Sequence, residues 1–490
     1  MTPVWTILSA FAGALLVLCV PPRHSGLAKC IALASAFLGL LAASLAWITR
    51  LRFPDGKVWS VDVPWIPELG ASFHLAADGL SLCLLVLTGV VAVAGVLFSW
   101  NITHRTRAFF AWFLTIIGGV YGVFLSRDAL LLFVFYEIVI LPKYLLILIW
   151  GSTNKEYGAM KLTMYSIAAS ALILLGIATA YAASGGTSFD LAHLASARYP
   201  ASLQAWAFPV LFLGFAVLAG LWPFHSWAPT GHVAAPTAAS MLLAGVVMKL
   251  GAYGALCVAM PLFPDGFAQW KGVIAGLGVI GVIYGALTAL AQKDLKFVIG
   301  YSSVSHMGLI LLGLAAANQW GLRGAVLQMV SHGVVAGLLF GIAGRVVYDR
   351  THTRDLDELA GFNLWRSLPA AALAFAFASA ASMGLPGFSG FVAEIAVVLG
   401  LWESMPWAVL AVAAGILITA AFSLRAMQRG FFPNRNSDTP PLPPLTRAER
   451  AAIVMLLAVS LAIGLYPKPW LRLIDDGLSS PLFERVLNTP

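Results

Sequence analysis

The sequence predicts an all-α polytopic membrane protein of about fourteen transmembrane helices, with two inverted five-helix repeats that each contain a broken helix. Three observations carry this prediction. Hydrophobic residues make up 60% of the 490 and charged residues 10%, whereas soluble domains carry about 25% charged residues. Apolar runs of about bilayer length recur along the chain. Two of those runs are interrupted by helix breakers, at Gly220-Leu-Trp-Pro223-Phe-His225-Ser-Trp-Ala-Pro229 and at Gly384-Leu-Pro386-Gly387-Phe-Ser-Gly390.

The runs place helices near 3–20, 28–49, 79–99, 108–125, 128–149, 161–183, 205–222, 236–260, 270–291, 296–315, 322–346, 367–400 (broken), 406–427 and 450–466. The first run lacks a basic leader and a small-residue cleavage site, and reads as a retained span. The breaks fall in the seventh and twelfth spans. Backbone groups freed by a break are tolerated at bilayer depth only inside protein or beside a wet cavity. Breaks an odd number of spans apart run in opposite directions, as inverted repeats require. The implied divisions are 1–107 (helices 1–3 with an external loop at 50–78), 108–260 (first repeat), 261–430 (second repeat) and 431–490 (loop, last helix and tail). Arg50 to Asp78, with three prolines and several charges, reads as an ordered extramembrane cap. Asn434 to Pro444 reads as a proline-rich loop, and Pro467 to Pro490 as a partly amphipathic tail.

The net charge of +8 does not form a nucleic-acid patch, because the basic residues sit in short connectors. Odd-numbered connectors hold seventeen Lys and Arg, and even-numbered connectors plus the tail hold ten. Lys143 and Lys249 complete the 29 and lie inside spans. Positive-inside bias puts the odd connectors in the cytoplasm and both termini on the outer, periplasmic side of a bacterial inner membrane. Cys19, Cys30, Cys83 and Cys257 lack metal-ligand spacing and read as small core residues. Neither an iron–sulfur motif nor a Gly-rich nucleotide loop is present, so the chain itself reads as carrying no redox site and no cofactor.

Chemistry is expected where ionisable groups interrupt apolar runs. Such a group costs on the order of 2.5–3.5 kcal/mol at the bilayer centre. Glu137 lies nine residues into its predicted span, Lys249 sits at a similar depth in the eighth, and Glu394 follows the second break. His225, His306 and His332 lie at mid-span or break positions, and histidine exchanges protons near neutral pH. A structural ion pair or a packing histidine is the plainer alternative. Three buried charges together with three histidines favour proton movement. A metal site is not expected, since none of these residues pair at helical ligand spacing.

These motifs resemble the antiporter-like, proton-translocating membrane subunits of bacterial respiratory NADH–quinone oxidoreductase, complex I. The resemblance rests on His225-Ser-Trp-Ala-Pro-Thr-Gly-His232, Ala235-Pro-Thr-Ala-Ala-Ser240, Ala291-Gln-Lys-Asp-Leu-Lys296, Tyr301-Ser-Ser-Val-Ser-His-Met-Gly308, Leu385-Pro-Gly-Phe-Ser-Gly-Phe-Val-Ala-Glu394 and Gly464-Leu-Tyr-Pro-Lys-Pro469. Tyr348-Asp-Arg-Thr-His-Thr-Arg-Asp355 is similar to the connector of the chain M branch. The resemblance implies a proton path through Glu137, Lys249, His306, His332 and Glu394, with His225, His232 and Lys293 as secondary candidates. It also implies partners: sister antiporter-like chains in the bilayer, and subunits that hold NADH, FMN, iron–sulfur clusters and quinone. One position departs. The family carries a lysine five residues before the proline of its Pro-Phe-His motif, and here that residue is Leu218. Lys143, six residues after Glu137 and about 9 Å along an ideal helix, is the candidate replacement charge. The alternatives are a cation/proton antiporter or inorganic-carbon uptake subunit on the same fold, a second copy of chain M with altered proton input, and a non-conducting scaffold.

Overall fold

The computed structural model describes residues 3–53, 59–432 and 442–487. Twelve of its helices are long and apolar enough to cross a membrane, and two shorter apolar helices, Val4–Cys19 and Pro369–Ser382, lie where the first and twelfth spans were predicted. In chain order the spans are Val4–Cys19, Ser25–Arg52, Gly79–Phe98, Thr106–Leu125, Ala129–Trp150, Lys155–Ala183, Ala201–Ala219 with Trp227–Ala234, Thr237–Leu262, Pro264–Ala291, Leu295–Ala315, Gln319–Thr351, Pro369–Ser382 with Ser389–Ser404, Pro406–Phe431 and Arg447–Leu465. Polar caps fix several starts. Asp78, Asp128, Asp294 and Asn318 each accept a first-turn backbone N–H, and Thr446 with Glu449 forms a capping box.

The two breaks share one local design. After Ala219, Gly220 adopts φ 72°, and Leu221 N–H reaches back to the Ala216 carbonyl at 3.0 Å. After Met383, Gly384 adopts φ 67°, and Leu385 N–H reaches the Ala380 carbonyl at 3.1 Å. A glycine with positive φ followed by a 6→1 bond ends a helix while satisfying its last carbonyls, and a proline shortly after forbids continuation. Both breaks read Gly-Leu with Pro one or two residues later.

The eighth span is not uniform. Leu243–Val247 and Ala255–Ala259 are π-helical and flank the α-helical Met248–Gly254, which carries Lys249. Gly245 and Gly333 bring the eighth and eleventh spans into backbone contact there: a Cβ on Gly333 would lie 2.5 Å from the Gly245 carbonyl.

Two backbone motifs repeat on opposite faces. Ahead of the fifth span, Asp128 bridges Asp190, with Ala129 N–H donating to Phe189 and Leu191 N–H to Arg127, both at 2.8 Å. Ahead of the tenth, Asp294 bridges Asp355, with Leu295 N–H donating to Arg354 at 2.8 Å and Leu356 N–H to Lys293 at 2.9 Å. The cap predicted for 50–78 contains two small two-stranded sheets, Ser60–Val61 with Leu75–Ala76 and Pro64–Ile66 with Ala71–Ser72. Residues 54–58 of that cap and 433–441 of the proline-rich loop lie outside the described residues. The tail contains helices Lys468–Leu478 and Pro481–Leu487.

Two expectations shift. The connector predicted from Tyr348 begins later, because a π-helical segment Gly341–Tyr348 carries the eleventh span on to Thr351. Lys296, counted as a connector residue, is 3% exposed inside the tenth span. Asp294 caps that helix, so Lys296 falls in its first turn and faces protein.

Candidate functional site

Lys249 is fully buried. Its ammonium donates to the Ala244 carbonyl in the π-helical turn and lies 2.7 Å from His332 Nδ1. A protonated lysine only donates, so Nδ1 accepts and His332 carries its proton on Nε2. Moving one proton across that contact exchanges ammonium and neutral imidazole for amine and imidazolium, and the π turn supplies the fixed acceptor that aims the lysine.

His306 continues the line. Its ring centroid is 5.2 Å from that of His332, a step within reach of one bridging water. Gln328 Nε2 donates to His306 Nδ1 at 3.0 Å, which leaves Nε2–H to donate to Ser382 Oγ at 3.1 Å. Ser382 ends the first half of the broken twelfth span, two residues before Gly384. Glu394, 6% exposed on the second half, lies against that glycine: a Cβ on Gly384 would sit 2.0 Å from Glu394 Oε2. Glycine is therefore required twice, for its backbone angle and for room. A serine string, Ser331 to Ser389 at 2.7 Å and Ser389 to Ser460 at 2.9 Å, runs through the same region.

The first half is arranged differently. Glu137 is partly buried and its Oε1 has no hydrogen-bond partner. Leu218 packs in the apolar core at the position of the absent lysine. Lys143 is buried, donates to Ser166 Oγ at 2.8 Å and lies 5.6 Å from the Tyr136 ring centre. The charge of Glu137 attracts Lys143, but the ammonium contacts Ser166 and not the carboxylate. Six residues of helix put the two on different sides.

His225 is buried in the first break, edge-on to Tyr284 at 5.0 Å. His232 is fully buried; both ring nitrogens lack partners, and its ring stands 5.2 Å from Phe340. The charges of Lys249 and Lys296 both act on it. Lys293 is exposed, and the buried cation of its segment is Lys296, whose Nζ donates to the Ala235 carbonyl at 2.9 Å. Lys296 lines a cavity of about 280 Å³ with His104, Ser152, Thr237, Arg345 and Asp349. Every one of these residues belongs to the face of the odd-numbered connectors, called here the basic face. The cavity has room for about nine waters at the liquid share of roughly 30 Å³ each.

Sequence reasoning overlooked Lys296, Gln328, Ser382 and the serine string. Lys296 carried a signal, since it follows a capping aspartate by two residues and so lies within the helix. The others are ordinary polar residues until helices are packed.

Residues 126–419 match the family described as NADH:quinone oxidoreductase/Mrp antiporter, TM. The chain is 38% identical to NAD(P)H-quinone oxidoreductase chain 4 1 of Synechococcus sp. over 89% of its length and 84% of that protein. It is 37% identical to NADH-quinone oxidoreductase subunit M of Pseudomonas aeruginosa over 95% of its length and 94% of that protein. A chain in respiratory complex I from Thermus thermophilus with bound NADH superposes with TM-score 0.90 at 27% identity, covering 100% of this chain and 99% of that one. A chain of the Mrp complex from Dietzia sp. shares the fold, with TM-score 0.84 at 21% identity, covering 99% and 100%. On these grounds the chain belongs to the NADH:quinone oxidoreductase/Mrp antiporter membrane family.

Proposed function

We propose that this chain is an antiporter-like, proton-translocating subunit of a bacterial NADH–quinone oxidoreductase, of the subunit M type. The observation that carries the reading is the line Lys249, His332, His306 and Ser382, in which Lys249 bonds His332, the His332 and His306 rings stand 5.2 Å apart and His306 bonds Ser382, with Glu394 against Gly384 of the break that follows. Protons reach it from the basic face through the cavity above Lys296, past His232. Glu137 with Lys143 forms the first-half charge site. Segments 108–260 and 261–430 act as the two inverted repeats, supported by the matched Asp128–Asp190 and Asp294–Asp355 motifs and the matched breaks. NADH, FMN, iron–sulfur clusters and quinone belong to partner subunits, and sister antiporter-like chains flank this one in the inner membrane. The basic face is cytoplasmic, with both termini on the other side. Relatives at 37% and 38% identity favour this reading over a cation/proton antiporter, whose likeness at 21% is one of fold.

The test uses the assembled complex reconstituted in vesicles, with proton uptake followed during NADH oxidation. Lys249→Met is expected to lower uptake at least about tenfold, the scale of losing a positioned acid–base group. Uptake at the normal rate would overturn the reading.

A further inference from the structure

On the face opposite the cavity, a second buried polar cluster approaches Lys249. Tyr253 lies one helical turn beyond Lys249 on the same side of the eighth span, about 6 Å along its axis. Its hydroxyl is 3.2 Å from Ser81 Oγ and 3.1 Å from the Phe124 carbonyl. Arg127 Nη2 donates to Ser81 Oγ at 3.1 Å and pairs with Asp78 Oδ2 at 2.8 Å. The other oxygen of Asp78 caps the third span through Ser81 N–H at 2.8 Å. Ser81 and Tyr253 are almost completely buried, while the Arg127 and Asp78 side chains are 15% and 21% exposed. The cluster therefore reaches from the protein interior to the edge of solvent.

The donor directions are fixed by chemistry. Arginine donates and never accepts. The Phe124 carbonyl only accepts, so the tyrosine O–H points to it and the serine O–H to Tyr253, while Arg127 donates to the serine oxygen from the outer side. Every hydrogen in the string points inward, and the outer end offers no acceptor to a proton coming from Lys249. The guanidinium adds a positive charge that repels one. The backbone holds Arg127 in place from both sides: its N–H donates to His74 at 2.8 Å and its carbonyl accepts from Leu191 at 2.8 Å.

We propose that Arg127, clasped by Asp78, is the gate of a second proton path to Lys249, running through Ser81 and Tyr253 to the face opposite the cavity. When Arg127 leaves, its positive charge no longer opposes the proton, the tyrosine O–H can turn to Ser81 and the serine O–H to Asp78, and Asp78 becomes the terminal proton acceptor. Arg127 is a positioning residue that closes the outer end of the string with its charge, without carrying the proton. This rests on the reading of Lys249 as a proton carrier.

The test is a leak measurement without turnover. The whole complex is reconstituted in phosphatidylethanolamine–phosphatidylglycerol vesicles, a potassium diffusion potential is imposed, and proton flux is read with a trapped pH dye. Arg127→Gln is expected to raise passive flux about tenfold, and adding Lys249→Met or Tyr253→Phe to that variant should return it to baseline. A tight Arg127→Gln complex overturns the gate, as does a leak that survives Lys249→Met. If Arg127→Gln does not assemble, Ser81→Ala and Ser81→Thr read the same path. Pumping slowed several-fold by Ala and preserved by Thr supports a hydroxyl relay. Normal pumping in Ser81→Ala overturns it. Loss of NADH-driven uptake in Lys249→Met alongside a tight Arg127→Gln complex sinks only the gate. Normal uptake in Lys249→Met sinks the proton reading and the gate together.

Discussion

Arg127 and Lys293 hold the same place in two copies of one backbone motif, on opposite faces of the protein, and their side chains do opposite things. Arg127 turns inward to Asp78 and Ser81. Lys293 stays in solvent, and the buried cations on its side are Lys296, three residues on beside the 280 Å³ cavity, and Arg354, paired with Asp294 at 3.1 Å. Repeated backbone therefore does not mean repeated charge. Ion pairs stand on both faces, Arg127 with Asp78 on one and Arg354 with Asp294 on the other, so what distinguishes them is that the proposed gate stoppers the first while the cavity above Lys296 opens the second.

That contrast can be broken most directly at the open face. Lys296→Met is expected to slow NADH-driven proton uptake about tenfold, while Lys293→Met stays within about twofold of normal. Equal effects of the two would erase the distinction between the buried and exposed cation. Next in size, Lys143→Met should impair pumping to within about threefold of Glu137→Gln. Lys143 feels the charge of Glu137 without touching it, and the position of the family lysine is leucine, Leu218. A fully active Lys143→Met complex would separate it from the proton path and leave the second half as the sole working line.

The smallest effect concerns the stoppered face, where His74 ties the cap to Asp190 at 2.8 Å. The hydrogen bond it donates to Asp190 raises the His74 imidazole above its ordinary 6.5. Burial pushes Asp190 up, but the bond from His74 prevails and its carboxyl stays below the ordinary 3.8. The histidine contribution is complete below 6.5 and fades as pH rises through the raised value. The aspartate contribution is present above 3.8 and fades as pH falls through the lowered one. His74→Gln should therefore destabilise the complex more near about pH 6 than near about pH 9, by no more than about 1 kcal/mol for so accessible a pair, read as a larger drop in melting temperature at the lower pH. A larger loss at the alkaline end would contradict the tie.

Much of this was legible in the chain. Apolar length placed the helices, and Gly-Leu followed by Pro marked both breaks, because a left-handed glycine and a missing N–H are local properties. Glu137, Lys249 and Glu394 stood out because charge in an apolar run is costly. Ser382, Gln328 and Tyr253 did not, since hydroxyls and amides are common in spans and acquire meaning only from a partner on another helix. Lys296 was counted with the connectors because it stands at the edge of the predicted helix, whereas Asp294 caps a helix that starts at Leu295 and puts Lys296 in the first turn. Arg127 looked like one more orienting charge, and only the packing of the third, fifth and eighth spans brings it to Asp78, Ser81 and Tyr253.

The tail helix Lys468–Leu478 bears two adjacent aspartates that turn to different neighbours. Asp475 pairs with Arg323 at the start of the eleventh span, and Asp476 grips Arg50 at the end of the second through two bonds of 2.7 and 2.9 Å. Neighbouring positions on a helix differ by about 100°, which is what lets one short strap hold two distant struts. Separating those struts at this end means breaking one of the pairs, so the tail helix ties together two spans on the face opposite the cavity.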